Sequence, residues 1–87
     1  MPYLPKARRF QLERGEDRPR TAGDLNYVLT CAVLAFLGER PDYSDYNAAV
    51  GALECAKQEL VRMALAPYED SKIEQNGSLP WPKPRSQ

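Results

Sequence analysis

The chain has 87 residues, 12 Lys+Arg against 12 Asp+Glu, no histidine, two cysteines and eight prolines. That length allows one small domain whose single core is only marginally stabilising. Zero formal charge argues against broad capture of nucleic acid or a membrane surface, and the missing histidine removes the commonest general base and transition-metal ligand.

The N-terminus MPYLPKARRF has no apolar run that would serve as a signal-peptide core, and the weakly polar stretch Tyr27–Gly38 is too short to span a membrane. Two cysteines, Cys31 and Cys55, make a poor disulfide framework. Both sit in helical patterns, where a buried free Cys behaves as a small apolar residue. These features lead us to expect a cytoplasmic protein.

Proline punctuation divides the chain into a basic arm over 1–20, a helical domain over 21–77 and a Pro/Trp tail over 78–87. The arm carries Lys6, Arg8, Arg9, Arg14, Arg18 and Arg20 against Glu13, Glu16 and Asp17, a local net of +3. We read it as extended, with only PKARRFQLER behind Pro5 offering a weak signal for a turn or two of helix.

The first helix is expected to begin near Thr21, whose spacing to Asp24 resembles a capping box. Leu25, Val28, Leu29, Ala32, Val33, Phe36 and Leu37 hold a 3-4 spacing, and a second face carries Tyr27, Cys31 and Leu34. A helix this apolar on nearly every side must be covered on nearly every side. Gly38 and Pro41 supply the stop.

Asp42 is a good N-cap for a second helix running to residue 66, with Asp45 at its third position. Its apolar stripe is Tyr46, Ala49, Val50, Leu53, Ala56, Leu60, Met63 and Ala64, beside a strip of small residues at Ala48, Gly51, Ala52 and Cys55. Glu54 with Lys57 or Gln58, and Glu59 with Arg62, are neighbours on the wet face. Pro67 suits the first turn of a short third helix over 67–76, which Asn76-Gly77 would cap. The alternating prolines of the tail favour polyproline II.

The expected fold is therefore all-α: an antiparallel two-helix hairpin plus a short C-terminal helix, with an extended basic arm and a Pro-rich tail. Two helices bury one interface, whereas the first has more apolar faces than one partner covers. Ordering costs about 1–2 kcal/mol per residue against about 25 cal/mol per Å² of burial, so a second copy is the economical cover. We expect a homo-oligomer.

Catalytic templates fail: the sequence has no phosphate-binding glycine loop, no Gly-x-Ser-x-Gly, no triad histidine and no paired-cysteine metal spacing. We expect no enzyme activity, no cofactor and no metal. Binding chemistry is better represented. Five tyrosines are many for this length, and a tyrosine offers a stacking plane plus a hydroxyl. The candidates are Tyr3, Lys6, Arg8 and Arg9 in the arm, Arg40, Tyr43 and Tyr46 at the interhelical turn, Lys57 on the second helix, and Tyr68 and Lys72 on the third. The plainer alternatives are tyrosines lining the rim of a small core and a disordered basic arm.

GDLNY at 23–27, GERPDYSDYN at 38–47, GALECAKQEL at 51–60 and APYEDSKIEQNG at 66–77 together resemble a small uncharacterised domain of unknown function found in tailed bacteriophages and prophages. The resemblance covers residues 1–3 and about 23–77, and departs over 4–22, which are short and charged here. It implies a phage origin, and with it the bacterial host cytoplasm as the location, and assigns no activity. The expected function is an accessory one: inhibition of a host defence system, as in anti-CRISPR action. The protein would either cover a host defence protein or, as an oligomer, sequester a signalling nucleotide with Tyr3, Arg8, Arg9, Lys57 and Tyr68. A structural or assembly role in the phage particle is the alternative, followed by a small nucleic-acid-binding role that charge neutrality disfavours.

Overall fold

A computed structural model describes residues 2–84; Met1 and the last three positions of the expected tail, Arg85–Gln87, lie outside the described residues. Regular structure consists of α1 (Lys6–Glu13), α2 (Ala22–Leu37), α3 (Tyr43–Leu60), a π turn (Val61–Leu65) and α4 (Ala66–Asn76). The fold is all-α, with no strand among the described residues. Contacts divide the chain into two units, Met1–Val50 and Gly51–Gln87, with the division falling inside α3.

Local chemistry sets the helix ends. The Thr21 hydroxyl accepts from the Asp24 N–H at 3.0 Å, so α2 starts where the cap spacing requires. At α3 the box is reciprocal: Asp45 N–H donates to the Asp42 carboxylate and Asp42 N–H donates to the Asp45 carboxylate, each at 3.0 Å. Gly38 and Gly77 end α2 and α4 with φ of +70° and +85°, a region that costs glycine little, and donate to the carbonyls of Leu34 and Ile73.

The arm departs from expectation. Residues 6–13 are helical, and α1 packs on α2. An eight-residue helix is marginal alone in water, so its order comes from what it touches. Leu12 of α1 and Asp24 and Tyr27 of α2 are buried, and Ala49 is the buried residue of α3. The element packed against α2 is thus α1, where the sequence suggested the antiparallel partner α3. The buried face is also the secondary one: Asp24 and Tyr27 are covered, whereas Leu25, Leu29 and Phe36 of the longer stripe are exposed. Periodicity alone ranks faces by apolar content, but here a buried carboxylate selects the face.

In the second unit, the part of α3 from Gly51, the π turn and α4 form one uninterrupted helical run to Asn76. Pro67 explains the widened turn. It has no N–H, and its ring collides with the carbonyl four residues back. The backbone answers with an i→i+5 bond, the Ala66 N–H donating to the Val61 carbonyl. The expected third helix is therefore present, continuous with the second rather than separate. The cysteine expectation needs correction: Cys31 is half-buried and Cys55 exposed, both as free thiols. No helix is long and apolar enough to cross a membrane among the described residues.

Replacing the Thr21 cap by alanine is expected to cost about 1 kcal/mol. On a chain of this size that lowers the thermal midpoint by about 4–8 °C, measurable by far-UV circular dichroism.

Candidate binding surface

Arg8 occupies the centre of the first unit. Its Nη2 donates to Asp24 at 2.5 Å and its Nε to the other oxygen of the same carboxylate at 3.2 Å, a bidentate fork. Nη1 reaches Asp17 at 2.8 Å and Gln11 at 3.1 Å, and Nη2 also meets the Arg18 carbonyl at 3.3 Å. Asp24 accepts in addition from the Arg20 N–H at 3.0 Å, and Arg20 closes the group through Asp17 at 3.1 Å. One guanidinium therefore ties α1, the Arg14–Thr21 connection and the first turn of α2.

The charges respond accordingly. Arg8, beside Asp24 and then Asp17, is held above its ordinary value. The Asp17 carboxyl is pulled well below the usual range by Arg20 and then Arg8. Arg8, with the Arg20 N–H, lowers the Asp24 carboxyl from 3.8 to about 2. Next to this group the buried Tyr27 donates its hydroxyl to Glu13. Glu13, then the neighbouring Cys31 thiol, pushes the phenol upward. Arg9 lies 5.9 Å from the Tyr27 ring centroid and donates from Nε to the Leu4 carbonyl at 2.7 Å.

The sequence candidates therefore divide. Arg8 is saturated by its own chain, and Arg9 is engaged with Leu4 and Tyr27, so neither projects as a free phosphate ligand. Tyr3, Lys6, Arg40, Tyr43 and Tyr46 are exposed, Tyr43 at 81%. Lys57 stands 3.5 Å from Glu54; Glu54 is lowered by Gln58 and then Lys57. Such exposed i,i+3 pairs contribute little. Lys72 lies over the Tyr68 ring at 5.6 Å.

Two of the hollows among the described residues lie in the second unit. One, about 860 Å³, lies against Gly51, Glu54, Gln58, Glu59 and Arg62 and is walled by the single helical run, so it encloses nothing. The other, about 450 Å³, lies between α4 and the segment after it, lined by Tyr68, Lys72, Ile73, Asn76, Leu79 and Trp81. The Trp81 N–H donates to the Leu79 carbonyl at 2.8 Å, a tight turn in the segment that lines this hollow. Among the described residues no group of three or more His, Cys, Asp or Glu is placed to hold a metal ion.

The structural role of Asp24 and Tyr27 was only partly legible in the sequence. Asp24 was readable as a helix-start residue, but its pairing with Arg8 spans sixteen positions and leaves no local signal.

The family model described as a domain of unknown function, DUF6899, matches residues 1–79. The chain belongs to this family. The matched range of the DUF6899 domain includes 4–22, the stretch where the sequence resemblance departed, and so takes in α1 and its Arg8 anchor. No curated protein matches the chain. No solved structure matches it either.

Because the folded Asp24 carboxyl is lowered, its contribution is complete above about pH 4 and is lost as pH falls through about 2. Asp24→Asn is expected to melt below the parent at pH 6, with the gap closing towards pH 2. Paired thermal melts across that window check this.

Proposed function

We propose that this chain is a non-enzymatic phage accessory protein that assembles as a homo-oligomer and inhibits a host defence system by covering a host protein. The observation that carries the reading is the exposure of the second unit. From Gly51 to Pro84 every residue except Ala66 is exposed, including Leu60 at 66%, Met63 at 64% and Trp81 at 71%. A helical run with apolar side chains and no covered side gains most from a protein surface. The phage assignment is supported by the resemblance of the GDLNY, GALECAKQEL and APYEDSKIEQNG segments. Covering a protein is favoured over holding phosphate because Arg8, the best-placed cation for it, is already paired with two carboxylates.

One groove favours a second reading, sequestration of a signalling nucleotide. Tyr68 and Trp81 offer two stacking planes and Lys72 a cation around the same 450 Å³. A thermal-shift screen with cyclic and ADP-ribose-type nucleotides decides this reading: stabilisation by one class supports it, and no shift with any overturns it.

Light scattering at micromolar concentration is expected to give a multiple of the single-chain mass; the mass of one chain overturns the oligomer. Expressed in bacteria carrying a defence system, the protein is expected to restore plating of a sensitive phage. Failure against a panel of defence systems overturns the inhibitor reading.

A further inference from the structure

We infer that the helical run Gly51–Asn76 pairs end over end with the same run of a second copy, through a stripe formed by Leu53, Ala56, Leu60, Ala64 and Tyr68. This names the surface for the homo-oligomer reading above and rests on that reading.

The stripe depends on the π turn. On a regular α-helix, residues eight apart are rotated away from one another by about 80°. A single i→i+5 turn takes up one residue more than an α turn. Leu60 and Tyr68 flank the Val61–Leu65 turn, so they stand as residues seven apart do on an ordinary helix. Seven-residue spacing returns a side chain to nearly the same face. Leu53 and Leu60, on the near side of the turn, are also seven apart. The widened turn thus aligns Leu53, Leu60 and Tyr68, which are exposed at 41%, 66% and 60%. Ala56 and Ala64 fall between them, leaving room for the large side chains of a facing helix.

Charge fixes the partner and its direction. Glu54 and Lys57 precede Met63 by nine and six positions, and Glu69 and Lys72 follow it by six and nine. By helical rotation, corrected for the π turn, all four lie on one flank of the stripe. In an antiparallel pair each flank meets the same flank of the partner, so Glu54 faces Lys72 of the second copy and Lys57 faces Glu69. A parallel pair brings opposite flanks together and loses this match. The present partners of these groups are weak enough to exchange: Lys57 and Glu54 are 3.5 Å apart and exposed. The symmetric two-fold pairing of one patch with itself is the commonest closed assembly.

The test uses the full chain with Cys31 and Cys55 changed to Ser. Single cysteines are placed by Ala64→Cys, near the two-fold axis, and by Asn76→Cys at the far end, and each is treated with a short bis-maleimide. Antiparallel pairing is expected to cross-link Ala64→Cys into dimers and to leave Asn76→Cys monomeric on a denaturing gel, since its two copies lie about 40 Å apart by helix rise. Efficient cross-linking at Asn76→Cys overturns the direction. In light scattering, Leu60→Glu is expected to give the single-chain mass with an unchanged helical spectrum. Lys57→Glu is expected to weaken association, and adding Glu69→Lys to restore it. If the parent is oligomeric and Leu60→Glu remains so, the assembly uses another face: this inference falls while the homo-oligomer stands. A parent that is monomeric removes both.

Discussion

The Arg8–Asp24 fork is the constraint on which the first half of the structure depends. A carboxylate as covered as Asp24 is tolerated only when its oxygens are satisfied, and here two guanidinium nitrogens and the Arg20 N–H provide the partners. Because Asp24 sits in the opening turn of α2, the same contacts hold the end of α2, the connection before it and α1. Removing one partner leaves the other covered and unpaired, which is why a pair of this kind fixes geometry more than it adds net stability. The packing of Leu12 and Tyr27 follows from that placement.

One consequence is chemical. A cluster of arginines in a basic arm invites a phosphate-binding reading, and the structure assigns the central arginine to an internal role instead. With Arg8 and Arg9 committed, the exposed recognition chemistry shifts to tyrosines at the α2–α3 turn and to the apolar and aromatic side chains of the second unit. Of the six basic residues at the N-terminus, Arg8 and Arg20 pair with Asp17 and Asp24 within the chain.

The second unit follows a different physical logic. Among its described residues it has no buried side chain to specify a unique tertiary arrangement, and its regularity comes from helix propensity, local pairs such as Glu59–Arg62 and the backbone's accommodation of Pro67. The π turn there has a visible cause in the missing proline N–H. Its effect is a one-residue shift in the helical register, which changes which side chains share a face. Such a unit leaves its apolar side chains open to solvent.

The sequence alone determined what local rules govern. The all-α class, the caps at Thr21 and Asp42, the helix ends at Gly38 and Gly77 and a helix ending at Asn76 all rest on interactions spanning a few residues, which spacing exposes directly. The tertiary structure decided the rest. Pairing of Arg8 with Asp24 across sixteen positions turned a basic arm into a helix and made Tyr27, rather than the more apolar Leu25–Leu29–Phe36 face, the buried side of α2. The widened turn at Val61–Leu65 joined two helices that proline appeared to separate. In both cases the deciding energy lies in the satisfaction of polar groups between elements distant in sequence or between successive turns, and hydrophobic periodicity carries no record of it.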